Sequence, residues 1–281
     1  MELFRRAWRL QVGELELTDL DCEFKVQRRL GGVGTASITV YNPGPETRRA
    51  IAAMPRWRTF VELQAGYLQG MSTIFRGDLR RALPARDGPT WSITITAGDG
   101  EHARRDARTT RSFAPGTTVE RVLLAIAEDL GVGLGNARAA FRGARTEVGG
   151  IFEEGTVVRG AAAAELTRMC DSAHLEWSIQ DGVLQVLPRG GSLAREALQL
   201  GPDTGLVGSP EITGRYSAKA RALLIPGLMP GQRVDIASEV TSGVYRIGEV
   251  EFAGATAGGD WYADLTLRRP RPPLIPGGSS A

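Results

Sequence analysis

Leu175-Glu176-Trp177-Ser178-Ile179-Gln180-Asp181-Gly182-Val183-Leu184-Gln185-Val186-Leu187 reads as a β-hairpin. Two alternating runs meet at Asp181-Gly182, and a tight primed turn needs two central residues that tolerate positive φ. Upstream, a helix is expected over residues 158–172, with Ala162, Leu166 and Met169 facing inward. A second helix opens at Thr117, whose spacing to Glu120 is that of a capping box, each side chain satisfying a backbone N–H of the first turn. Val119, Leu123, Ile126 and Leu130 form its apolar stripe, and Gly131 supplies the stop. Residues 101–111 are dense in charge without apolar periodicity, the pattern of a boundary or solvated connector. Residues 106–195 therefore read as a small α+β unit with two helices and a hairpin.

Strands flank this unit on both sides. Trp8, Leu10 and Val12 alternate with polar neighbours, as do Phe24 and Val26, then Ala36, Ile38 and Val40. Asn42-Pro43-Gly44-Pro45 signals a turn before a short helix through Arg49 to Met54. Further strands are expected at residues 60–64, 73–79 and 91–96, and six short strands suggest a small sandwich or barrel. Beyond the hairpin, the run Ala222-Leu223-Leu224-Ile225 is ended by Pro226, and strands follow at 234–236, 243–247 and 261–266. The expected fold class is α+β, mainly β. Two small barrel or sandwich-like modules, residues 1–105 and 196–267, flank the α+β unit. The tail, 268–281, is rich in Pro, Gly and Ser and has no core of its own.

The totals fit a globular assembly of this kind. An apolar share of 42% and a charged share of 23% argue against disorder over most of the chain. No stretch approaches the roughly 18 apolar residues of a membrane span, so no membrane insertion is expected. The start, MELFRRAWRL, has no apolar run behind its charge, which points to synthesis in the cytoplasm without a secretory signal. Cys22 and Cys170 fall in different units, favouring two buried free thiols over a disulfide. Among the 34 basic residues only Lys25 and Lys219 are lysines. Arginine binds phosphate well, but the three sections carry nets of +4, −1 and −1, short of the basic stripe of a dedicated nucleic-acid binder.

The two β sections invite comparison. Phe75-Arg76 precedes Trp91 by the spacing at which Tyr245-Arg246 precedes Trp261, and each Trp lies in an alternating run. Shared architecture and coincidence in two ordinary hairpins both fit this spacing. If the modules are alike, three chains would offer six similar units around one axis.

Chemistry finds little purchase. His102 and His174 lie far apart, and Cys170 with His174 has helical spacing but sits on an apolar face where a structural thiol is favoured. Glu153-Glu154 reads as a solvated pair, and Gly131-Val132-Gly133-Leu134-Gly135 follows a helix, whereas a dinucleotide loop must follow a strand. No catalytic, cofactor-binding or metal-ligating residue is assigned, no cofactor is expected, and interface residues are left open. Exposed Trp57, Trp91 or Trp261 would suit a rival reading, a carbohydrate-binding β module.

Ordered stretches resemble the baseplate or tail hub proteins of contractile-tailed phages, including the late control protein D type. They are Ile74-Phe75-Arg76-Gly77-Asp78 with Trp91; Gly116-Thr117-Thr118-Val119; and Leu175 to Leu184 of the hairpin. Leu228-Met229-Pro230-Gly231-Gln232-Arg233-Val234 and Gly243-Val244-Tyr245-Arg246-Ile247 complete the set, within residues 55–270. The resemblance implies a homotrimer whose two barrel-like modules form a pseudo-six-fold ring. It implies as partners a tail tube or tube-initiator protein, a central spike and other baseplate subunits, with DNA only as passing cargo. The resemblance brings no catalytic residues, and no lysozyme-like segment is visible.

Overall fold

The computed structural model describes residues 5–146, 149–225 and 227–269. The first section holds β1 (Arg6–Val12), β2 (Leu15–Leu17), β3 (Cys22–Arg29), β4 (Thr35–Tyr41), α1 (Pro45–Ala53), β5 (Phe60–Tyr67), β6 (Gly70–Asp87) and β7 (Thr90–Gly98). The middle section begins with α2 (Glu101–Asp106), β8 (Arg108–Phe113), β9 (Thr117–Thr118), α3 (Val119–Asp129) and α4 (Ala137–Phe141). It continues with β10 (Ile151–Phe152), β11 (Thr156–Ala161), α5 (Ala162–Ser172), β12 (Leu175–Gln180) and β13 (Val183–Pro188). The last section holds β14 (Leu198–Leu200), β15 (Leu206–Gly214), β16 (Ser217–Leu223), β17 (Arg233–Ala237), β18 (Ser242–Ala255) and β19 (Trp261–Arg268).

The protein is mainly β with a small α+β unit in its middle. The outer sections join in one 13-stranded sheet, in the order β15-β16-β19-β18-β3-β4-β7-β6-β5-β1-β2, with β17 against β18 and β14 against β17. The path is open, ending at β15 and at β2, so the described strands close no barrel. At the centre β3 runs antiparallel to β18, from Arg29 opposite Glu249 to Glu23 opposite Ala255. Alternating side chains place Val26, Ile38, Ile95, Phe252 and Leu265 in a single core beneath both sections. Burying that face removes apolar surface from water at about 25 cal/mol per Å², the main force holding the two sections together.

Close approach at the β3–β18 seam requires a glycine. A Cβ on Gly254 would collide with the ring of Phe24, which stands edge-on to Trp261 at 5.4 Å. Gly254→Ala is expected to cost about 1–3 kcal/mol by overpacking, read as a lower thermal midpoint.

The middle unit has its own core, in which Val122, Leu123 and Ile126 of α3 meet Leu166 and Met169 of α5 and Trp177, Ile179 and Leu184 of the hairpin. The hairpin turns at Asp181 (φ +57°) and Gly182 (φ +76°), as the Asp-Gly pair requires. Several local expectations shift. The N-cap of α3 is Thr118, whose Oγ1 accepts from Arg121 N at 3.3 Å, whereas Thr117 donates to Ala114 O and Glu120 accepts from Gly143 N. The second helix starts at Ala162, because residues 156–161 are a strand paired with β8. The expected connector at 101–111 holds α2 and part of β8. That strand buries only Thr109, so no apolar alternation marks it. The chain start through Phe4, Pro226 and most of the tail, from Pro270 onward, lie outside the described residues.

Candidate functional site

Two arrangements outside the ordinary core bear on function: the seat that fixes the middle unit to the sheet, and the sheet's free edges. The seat is built on Asp99, which follows β7 and is buried. Its Oδ2 accepts from Asp181 N at 2.6 Å and its Oδ1 from Gly182 N at 3.0 Å, so one carboxylate holds the hairpin turn by its backbone. Arg28, on β3 and only 3% exposed, donates to Asp181 Oδ2 at 2.7 Å, Gln180 Oε1 at 3.1 Å and Ile74 O at 3.3 Å. On the other side Arg246 of β18 pairs with Glu176 and donates to Gly191 O at 2.7 Å, while Gln185 Nε2 donates to Pro230 O at 2.9 Å. The hairpin is thus fastened to both β sections.

Burial pushes the Asp99 carboxyl up from 3.8 to about 6, with the Asp181 charge acting in the same direction, against the two backbone N–H donors and Arg28. The unfolded carboxyl loses its proton near 3.8 and the folded one near 6, so the folded state binds more protons between these values. Stability is therefore greatest below pH 4 for this group and falls as pH rises to 6, by roughly 2–3 kcal/mol at most. Denaturant titrations between pH 4 and 7 check this, and Asp99→Asn is expected to flatten the dependence.

The edges become legible once the two β sections are superposed by strand pairing. In each, a long central strand carries a bulge against its hairpin partner: Arg80 is the extra residue between β6 and β7, Gly248 between β18 and β19, while β6 has a further one, Ile74 against β5, that β18 lacks against β17. Aligning the bulges places Arg81 with Glu249 and Arg86 with Gly254; across the ladder the first two face Thr96 and Thr266, the second two Trp91 and Trp261. Next, β4 meets β7 through the seven pairs Thr35–Gly98 to Tyr41–Ser92, and β16 meets β19 in the same register from Ser217–Arg268 to Leu223–Tyr262. Then β15 flanks β16 as β3 flanks β4, with Glu211 in the place of Lys25 and Ile212 in that of Val26. The turn before the bulge is similar, with one residue more in the first module. Trp57 N donates to Leu79 O and Leu79 N to Thr59 O, as Gly231 N donates to Ile247 O and Ile247 N to Gln232 O. Trp57 has φ +65° where its counterpart is a glycine at +86°, a strained conformation for a bulky residue that the shared turn explains.

The aromatic spacing read from the sequence is half right. Trp91 and Trp261 are counterparts, but Tyr245 aligns with Gly77, not with Phe75. The cover over the two tryptophans also differs. Trp261 is buried under Phe24 of β3 and donates Nε1–H to Gly66 O, whereas Trp91 is half-exposed beneath Arg48 and Arg86. Trp57 is likewise half-buried, under Arg105.

These differences trace to one asymmetry. The outer edge of β18 from Glu249 to Ala255 carries β3, whereas the matching stretch of β6, residues 81–87, carries no strand among the described residues. At the far end of the sheet β15, the counterpart of β3, has no strand on its outer side among the described residues. Ile212 is 57% exposed where its counterpart Val26 is 0% exposed, and Pro84 is exposed where Phe252 is buried. Each chain therefore has one filled junction and the two halves of a second.

The residues considered for chemistry are dispersed. Cys22 and Cys170 are free and buried in different cores; burial pushes the Cys170 thiol up to about 12 and raises that of Cys22 as well. His102 lies exposed, its Nδ1 2.8 Å from Asp106, and His174 is exposed at the end of α5 with φ +53°. Glu153 and Glu154 are both exposed, and Gly131 (φ +71°) ends α3. No group of three or more possible metal ligands occurs among the described residues. The edge residues carry no nucleophile or metal-ligand cluster, so no catalytic motif marks them in the sequence.

The described structure is thus two β sections of similar layout with open edges, fastened to a small α+β unit. Residues 41–265 match the family described as baseplate hub gp41, and the chain belongs to that family. It has the fold of a 43 kDa tail protein of prophage MuSo2 from Shewanella oneidensis (13% identity, 94% of this chain and 97% of that one, TM-score 0.65). A tail protein from Neisseria meningitidis is similar at 11% identity, covering 95% and 97% of the two chains with TM-score 0.64. So is an E. coli component of the type VI secretion system described as structurally similar to the T4 tail proteins gp27 and gp5 (13% identity, 95% and 80%, TM-score 0.60). No curated protein matches the chain by sequence. The chain is a phage tail baseplate component by family, and no helix among its described residues is long and apolar enough to cross a membrane.

Proposed function

We propose that the chain is the structural hub of the baseplate in a contractile tail, a homotrimer whose six β modules form a pseudo-six-fold ring between tail tube and central spike. The observation that supports this is the register the two modules share around the matching bulges at Arg80 and Gly248 and across the seven pairs of the next ladder. A doubled module lets three chains present six similar faces, so a six-fold tube and a three-fold spike can meet on one component. In this reading the partners are the tube or tube-initiator protein, the spike and other baseplate subunits. DNA only passes through, and the role is structural rather than enzymatic. The protein is made in the host cytoplasm and acts in the virion tail. The carbohydrate reading keeps only a reduced platform: Trp261 is buried, while Trp57 and Trp91 are half-exposed with an arginine stacked over each.

Mass photometry of the purified chain mixed with its tube and spike proteins tests the proposal. Expected is a complex containing three copies; a chain that stays monomeric with both partners and is absent from tail particles refutes it.

A further inference from the structure

We infer that the residue 81–87 edge of β6 in one copy receives β15 of a second copy, extending the sheet from chain to chain. This deepens the hub reading and rests on it. The edge of β18 is filled by β3, the counterpart of an unfilled edge is the 81–87 stretch of β6, and the counterpart of β3 is the terminal strand β15. Each open half is therefore shaped like one side of a junction that the molecule already makes.

The register follows. Within the chain Phe252 faces Val26, Ala253 faces Lys25 and Ala255 faces Glu23. Transferred by counterpart, Pro84 faces Ile212, Ala85 faces Glu211 and Asp87 faces Val207 of the second copy. Ile212 would then leave solvent for the place Val26 occupies, and the strand would cover Trp91 as β3 covers Trp261. Charge is compatible, because β6 brings Arg81 and Arg86 to this edge and β15 brings Glu211.

The edge is also protected against promiscuous pairing. Trp91 N and O both bond toward Asn42, on the β4 side, so by alternation Ser92 and Thr94 bond β6 at Ala85 and Leu83. Ala82, Pro84 and Arg86 then face the open edge, and Pro84 has no N–H to offer there. The bulge of β15 between Val207 and Glu211 does the same on the other half. A matching copy loses one donor; a flat foreign strand loses both register and donor.

Disulfide mapping in assembled tail particles tests the pairing. The pair Ala85→Cys with Glu211→Cys, both exposed positions, is expected to give a covalent ladder ending at three copies on mild oxidation. The off-register pair Arg81→Cys with Glu211→Cys is expected to link roughly tenfold less, since opposed residues lie within disulfide reach and residues four apart do not. Three copies per particle without the cross-link, or a cross-link to a different tail protein, overturns the inference and leaves the hub reading standing. Absence of the chain from tails overturns the hub reading itself. As a second arm, Ile212→Asp is expected to leave the free chain's melting point within about 2 °C, because the side chain is exposed there. The same change is expected to cut incorporation into tails by about tenfold or more, because it would place a charge in an apolar junction. Unchanged incorporation contradicts the pairing.

Discussion

Phe252→Ala is expected to destabilise the folded chain by about 4 kcal/mol, within the range for emptying a large aromatic site in a packed core. Phe252 is 1% exposed and lies at the middle of the β18 edge, directly opposite Val26 of β3. The loss removes contacts on both sides of the seam that joins the two β sections, and neither backbone can move in to fill the space while its ladder is intact. Because one core runs beneath both sections, they should still unfold together in one transition, at a lower denaturant midpoint. Leu83→Ala, at the exposed place that the superposition matches to Glu251, should change stability by under about 0.5 kcal/mol in the free chain. Chemical denaturation of the two variants side by side distinguishes the filled junction from the open one.

Arg28→Ala is expected to cost a similar amount, about 3–5 kcal/mol, for a different reason. The guanidinium is buried and holds three acceptors at once: the Asp181 carboxylate, the Gln180 amide oxygen and the Ile74 carbonyl. Removing it leaves Asp181 and the already desolvated Asp99 without their nearby cation, and the Ile74 carbonyl without this donor. The damage falls on the attachment of the hairpin, so hydrogen exchange should rise first in β12 and β13 and later in the 13-stranded sheet. Arg28→Lys keeps the charge but loses the forked geometry, and should recover less than half of the loss.

What could be read from the sequence was local. Asp181-Gly182 announced its hairpin because the turn chemistry lies within two residues, and the apolar stripes of α3 and α5 announced their helices. Trp91 and Trp261 were found as counterparts because each opens an alternating strand. The pairing of Phe75 with Tyr245 went astray because counting back from the tryptophans crosses turns of unequal length, between Asp87 and Thr90 in one module and Ala255 and Trp261 in the other. β8 and β15 escaped notice, one for want of apolar residues and one because its bulge breaks the alternation. Asp99 gave no signal, since a lone acid between two glycines looks like any turn until its partners, over 80 residues later, are brought to it. The β3–β18 seam joins residues more than 200 positions apart, beyond any local pattern. The open edges are visible only by comparison with that seam.

The central claim is that a doubled module makes this chain a three-to-six adaptor at the tail's base. Cryo-EM of intact tails tests it most directly. The account predicts three copies between tube and spike, arranged as six β modules in one ring with β15 of each copy beside residues 81–87 of the next. A chain found at another place in the tail, or in a ring where the two modules occupy dissimilar positions, would contradict it.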